Sequence, residues 1–296
     1  MRASANDIEI EYETFGEPGN DPLLLVMGLG GQLTLWDENF CQMLADRGFF
    51  AIRYDNRDVG LSTYFDEAGP PDMMKLMMAS AQGESVQSAY TLEDMADDAA
   101  GLLDALSIDR AHVVGASMGG MIAQAMAIRH GTRVKSLVSV MSTTGGPDAQ
   151  PAKPEVVAGL MKPPAPNREA QIEQSIALNR TIASPGFPRD EQRTRERIAR
   201  DYDRAFHPDG TQRQMAAIVT SGSRVESLAR LTMPTLVIHG DADVLVPPIN
   251  GKQTADAIPG AELMIIEGMG HDFPPETFER ITDAIANNAA KAKSAA

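Results

Sequence analysis

The chain has 296 residues, 43% hydrophobic and 23% charged; this is enough for one large α/β domain or two small ones, with a substantial core, and excludes wholesale disorder. A formal net charge of −15 repels nucleic acid and anionic membrane surfaces, so neither is expected as a main partner. A single cysteine, Cys41, excludes an intrachain disulfide and fits a reducing compartment.

The segment Met1 to Asp7 turns polar at once and lacks the apolar stretch of a signal peptide. Ile8 to Glu13 alternates with period two, as a half-exposed antiparallel edge strand does. Leu23 to Met27 is a continuous apolar run, the pattern of a strand buried on both faces. The longest apolar run, Leu23 to Leu29, is too short to span a bilayer, and a soluble cytoplasmic protein is expected. Leu35 to Arg47 reads as an amphipathic helix in which Cys41 is a small buried hydrophobe, and Phe49 to Asp55 as the next strand. The alternation then breaks over Asp66 to Tyr90, which holds Pro70-Pro71 and the methionine-rich run Met73 to Met78.

Thr91 is the predicted N-cap of a helix running to Leu106, with Asp94 in its first turn. A strand at Ala111 to Gly115, a helix at Met118 to His130 and a strand at Val134 to Val140 follow. From Gly145 to about Arg224 the chain is rich in proline and charge, with helical stretches at Glu169 to Arg180 and Arg189 to Arg204. Strands return at Pro234 to His239 and Glu262 to Ile266, and a last helix spans about Pro275 to Ala290 before a tail expected to fray. Alternating strands and helices predict a mostly parallel sheet flanked by helices. The core is expected over 1–144 and 225–296, with 145–224 inserted as a helical cap.

Ser117 lies in Gly115-Ala116-Ser117-Met118-Gly119, a G-x-S-x-G pattern between a predicted strand and a predicted helix. A strand, a sharp turn and a helix make a nucleophile elbow, and the glycines let strand and helix approach. A serine nucleophile needs a base. Of the five histidines, His271 sits in a glycine-rich loop, Gly268 to Asp272, after the last strand, where a general base can reach the sheet's carboxyl edge. The acid that orients it is expected in Gly240-Asp241-Ala242-Asp243. Asp243 is favoured because it lies out on the loop, with Asp241 as the alternative or as a residue that holds the turn. The backbone N–H of Met118, directly after the nucleophile, is one expected oxyanion donor.

These residues resemble the α/β-hydrolase superfamily over nearly all the chain outside the insertions. The resemblance implies an eight-stranded sheet, with the acid after the seventh strand in a G-x-x-D setting (Gly240, Asp243) and the base in a G-H pair after the eighth (Gly270-His271). Tyr54 to Ser62 is similar to the family's D-x-R-G-x-G-x-S loop, with Asp58 where glycine is usual. Met27-Gly28-Leu29 stands where the family has an H-G pair, which implies Leu29 as the second oxyanion donor through its backbone. Together with Trp36 to Phe40 and Arg53 to Asp58, that segment most resembles aclacinomycin methylesterase-like hydrolases.

Serine at 117 disfavours the aspartate-nucleophile branches, and the expected activity is hydrolysis of carboxylic esters. The rivals are a lactonase or a carbon–carbon bond hydrolase with the same triad, and a hydrolase-fold ligand receptor. No metal and no organic cofactor are expected. The expected partner is a small ester of apolar character, met by Gly28, Trp36, Met73 and Met77, and a homo-oligomer is admitted.

Overall fold

A computed structural model describes residues 1–82 and 87–294. Eight strands form one sheet: β1 (Arg2–Ala5), β2 (Ile8–Phe15), β3 (Asp21–Val26), β4 (Phe49–Tyr54), β5 (Ala111–Ala116), β6 (Val134–Val140), β7 (Thr235–Gly240) and β8 (Glu262–Ile266). Their spatial order is β1-β2-β4-β3-β5-β6-β7-β8. β2 is antiparallel to both its neighbours, and every pair from β4 to β8 is parallel. The edge at this end is β1 rather than the alternating segment Ile8–Phe15, because Arg2 to Ala5 pairs with Glu11 to Ile8 and covers it.

The central strands are buried on both faces, and alternate residues divide between two cores. Leu24 and Val26 of β3 pack beneath α3 (Leu92–Ala105) and α4 (Met118–Arg129). Leu23 and Leu25 face α1 (Glu38–Asp46) and α11 (Phe278–Ser294) on the other side. Thr91 caps α3, and its hydroxyl and the Asp94 carboxylate form a reciprocal capping box. The chain after Asn288 is helical to Ser294, since Ala289 packs in the core and Lys291 pairs with Glu262 at 2.7 Å.

Helix α2 (Met73–Ala81) accounts for the methionine-rich run; residues 83–86 of that expected break lie outside the described residues. Between β6 and β7 the chain forms α5 (Pro154–Leu160), α6 (Arg168–Ile182), α7 (Glu191–Arg204), α8 (Pro208–Thr220) and α9 (Val225–Leu228). Helix α10 (Pro248–Ala257) follows β7. Helix α8 begins at Pro208, whose missing N–H is harmless at a first helical position.

The order of strands sets the place of the site. From β3 the chain moves outward to β4, then crosses back to β5 on the other side of β3. The carboxyl ends of β3 and β5 are therefore adjacent at the point where winding reverses, the usual crevice of an open α/β sheet.

Candidate active site

Ser117 follows β5 directly and has φ +57° and ψ −121°, a conformation that non-glycine residues rarely adopt. The turn is held from both sides. The Ser117 N–H donates to the Val140 carbonyl at 2.9 Å, and the Ser142 hydroxyl donates to the Ser117 carbonyl at 2.8 Å. Glycine at 119 is required by contact, because a Cβ there would lie 2.0 Å from the Val26 carbonyl oxygen. The closeness brings the end of β3 against the elbow, so that a Cβ on Gly28 would stand 3.0 Å from that of Ser117. Met118 opens α4, so its N–H has no partner within the helix, and Leu29 follows Gly28 in the adjacent segment.

Ser117, His271 and Asp243 form one hydrogen-bonded line across three loops at this edge. The Ser117 hydroxyl donates to His271 Nε2 at 2.9 Å, and His271 Nδ1–H donates to Asp243 Oδ2 at 2.7 Å. Asp243 is fully buried, and its other oxygen accepts the backbone N–H groups of Leu245 and Val246 at 2.9 and 2.8 Å. Burial alone would push this carboxyl up. The charge of His271 and the hydrogen bonds from His239, His271 and Val246 outweigh it and hold the group down at about 2. Asp241 instead accepts the Gly268 N–H at 2.7 Å and so ties this loop to the one that carries His271. His239 lies beneath this line, with Nε2 2.7 Å from the Val246 carbonyl and 3.5 Å from Asp243.

The loop carrying His271 is pinned by the inserted helices. His271 N–H donates to the Ile182 carbonyl at 2.8 Å, and Gly186 N–H donates to the Gly268 carbonyl at 2.9 Å. Gly186 and Gly268 meet so closely that a Cβ on the first would lie 2.6 Å from the Cα of the second. Between these two bonds the Ser184 hydroxyl accepts the Gly270 N–H at 2.8 Å and donates to the Asp272 carboxylate, which also accepts the Ser184 N–H at 3.0 Å. Nothing in the sequence around Ser184 marks this role, because its partners lie 86 and 88 residues away.

The segment after Gly28 is held in the same way. Gln214 of α8 is fully buried, accepts the Gly30 N–H at 2.8 Å and donates to the Arg57 carbonyl at 2.8 Å. The loop after β4, noted for Asp58 in place of glycine, clasps the inserted helices. Asp58 has φ +67°, which explains why glycine suits the position, and its carboxylate takes a paired contact from Arg213. Asp55 accepts Leu33 and Leu61 N–H and meets Arg204 of α7 at 2.8 Å.

Two of the residues expected at the substrate lie elsewhere. Trp36 is 1% exposed and packs between Phe40 and Phe273, with ring centroids 5.6 and 5.2 Å away. Trp36 lies just before α1 rather than on it, and a large aromatic there is drawn into the nearest core, here the one beneath α1 and α11. Met77 is 43% exposed and does not line the cavity that begins at Leu29, since it lies one helical turn further along α2 than Met73. Met73 does line that cavity, which has a volume of about 590 Å³, begins at Leu29 and runs between the core and α6, α7 and α8.

Residues 21–276 match the family described as the alpha/beta hydrolase fold. The chain belongs to the α/β-hydrolase fold family. This α/β-hydrolase is 30% identical over 301 aligned residues to rhodomycin D methylesterase DauP of Streptomyces sp. (strain C5), covering 95% of this chain and 94% of that protein. Its structure is similar to that of a meta-cleavage product hydrolase from Pseudomonas fluorescens, with a TM-score of 0.76, 20% identity and coverage of 99% and 98%. It is also similar to a thermophilic esterase from Thermogutta terrifontis, with a TM-score of 0.73, 25% identity and coverage of 99% and 98%. At 20% identity the likeness to the meta-cleavage hydrolase speaks to fold alone. Among the described residues, no helix of this α/β-hydrolase is long and apolar enough to cross a membrane.

Proposed function

We propose that this α/β-hydrolase is a serine esterase that removes a small alcohol, such as methanol, from the carboxylic ester of a larger acid. The observation that carries the reading is the unbroken line from Asp243 through His271 to Ser117, at 2.7 and 2.9 Å, beside the backbone of Leu29 and Met118. The likeness to a methylesterase over almost the whole chain supports the choice of alcohol. The cavity of about 590 Å³ beside Leu29 supports a substantial acid, since sites for drug-sized ligands span roughly 300–1,000 Å³.

The Ser117 oxygen attacks the ester carbonyl while His271 Nε2 takes its proton. Asp243, ionised and unable to turn, keeps the Nδ1 proton in place and stabilises the imidazolium. The tetrahedral oxyanion accepts the N–H groups of Met118 and Leu29, aided by the positive end of α4. The alcohol leaves with the proton from His271. Water then attacks the acyl group with His271 again as base, and releases the acid and the free serine.

The test is hydrolysis of 4-nitrophenyl esters, acetate to decanoate, by the wild type and Ser117→Ala. Wild-type turnover and a loss of about 10⁴-fold or more in the variant are expected. A variant that keeps its activity, or a folded wild type inert toward every ester, would overturn the reading.

A further inference from the structure

The cavity wall is not uniformly apolar, and one cation on it is anomalous. Arg197 of α7 lines the cavity, with 29% of its side chain exposed. Other arginines covered as deeply have acceptors at hydrogen-bond distance. Arg53 donates to Glu13 and to the Trp36 carbonyl, and Arg57 holds Asp98 through two bonds. Arg204 reaches Gln32 at 2.6 Å and Asp55 at 2.8 Å, and Arg224 donates to Gln124 and to the Thr143 carbonyl.

The Arg197 side chain makes no hydrogen bond among the described residues. Its ion contact there is Nη1 to Asp201 Oδ2, at 3.8 Å. Asp201 is itself committed, since its other oxygen accepts the Thr34 hydroxyl at 2.8 Å and lies 3.6 Å from Arg200. A guanidinium taken largely out of water with its donors unfilled is unfavourable unless something else fills them. Burial lowers its pKa accordingly, while Asp272, the neighbour of His271, is close enough to act on its charge in the opposite sense. The cation thus lines the cavity with its side-chain donors unfilled among the described residues, in a chain whose net charge of −15 otherwise repels acids.

We propose that Arg197 binds a carboxylate carried by the acyl part of the substrate, so that the preferred substrate is the half-ester of a dicarboxylic acid. The proposal rests on the esterase reading above. A planar fork of N–H donors matches a carboxylate through two parallel bonds, which a neutral acyl chain of equal length cannot offer.

The experiment compares 4-nitrophenyl half-esters of succinate, glutarate, adipate and suberate with neutral 4-nitrophenyl esters of the same acyl length. In the wild type, the best half-ester should exceed its neutral counterpart in kcat/KM by about tenfold, the scale of a charged hydrogen-bonded contact. That ratio should fall to near one in Arg197→Gln and be partly restored in Arg197→Lys. A wild type that prefers the neutral ester at every length, or a ratio unchanged in Arg197→Gln, would overturn the proposal. Calorimetric binding of free adipate to Ser117→Ala, with and without Arg197→Gln, reads the site without turnover. Adipate bound only when Arg197 is present supports the site even if the esterase reading fails, and adipate bound by neither chain removes it.

Discussion

The carboxylate of Asp58 accepts two hydrogen bonds from the guanidinium of Arg213, each 2.7 Å long, across 155 residues of sequence. Both side chains are almost fully buried, Asp58 on the loop after β4 and Arg213 on α8. The pair is thus a rivet between the sheet and the inserted helices, and its neighbour Gln214 holds the segment that begins at Gly28.

Removing one member leaves the other charged and buried. Arg213→Met should destabilise the protein by about 3–5 kcal/mol in urea unfolding, whereas Asp58→Asn with Arg213→Met should recover much of that loss. A double variant as weak as the single one would show that lost packing, not the orphaned charge, dominates.

Ser184 ties the base loop to the inserted helices through Gly270 and Asp272. Burial raises the Asp272 carboxyl above its ordinary value, and the bonds from Ser184 hold it back. Ser184→Ala leaves that carboxylate short of a donor. The expected result is a loss of about 1–3 kcal/mol in stability. It should come with a several-fold fall in kcat on 4-nitrophenyl acetate and little change in KM, measured by steady-state kinetics. An unchanged kcat would show that the backbone bonds to Ile182 and Gly186 position His271 without help.

Asp243, held down at about 2, stays ionised across the working range. Its depressed pKa also links it to stability. The folded state binds this proton less readily than the unfolded chain, so the stabilisation is present above about 4 and is lost as pH falls from there through about 2. In urea unfolding at pH 5 and pH 2.5, Asp243→Asn should show a smaller stability difference than the wild type, by about 1–2 kcal/mol. Equal differences would place the acid sensitivity in other carboxylates.

Cys41 is fully buried in the core beneath α1, and burial first of all pushes its thiol up to about 12. The thiol should therefore resist iodoacetamide at pH 8 in the native protein and react at an ordinary rate in guanidinium. Fast labelling of the native chain would mean that α1 opens readily.

Local pattern alone was enough to locate most of the elements and to single out Ser117, His271 and the Asp241–Asp243 loop as candidates. Strands β3 and β8, the capped helix α3, and the glycines around the elbow each announce themselves within a few residues, because periodicity, capping and close backbone approach are local constraints. The fold family follows from the same source, since a strand–turn–helix with serine at its tip, followed later by an aspartate loop and a glycine–histidine loop, describes the carboxyl edge of one sheet. What the tertiary structure decided lies between segments far apart. Met73 borders the cavity while Met77 does not, although both stand in one run, because the docking of α2 against α8 decides which turn of the helix reaches the cavity. Trp36 is in the core rather than at the cavity, packed between Phe40 and Phe273, a partner far along the chain. The clasps Asp58–Arg213 and Asp272–Ser184, and the underfilled Arg197, carry no local signature at all. Their partners are chosen by how the inserted helices settle on the sheet, and that choice is made by burial and charge pairing over the whole molecule.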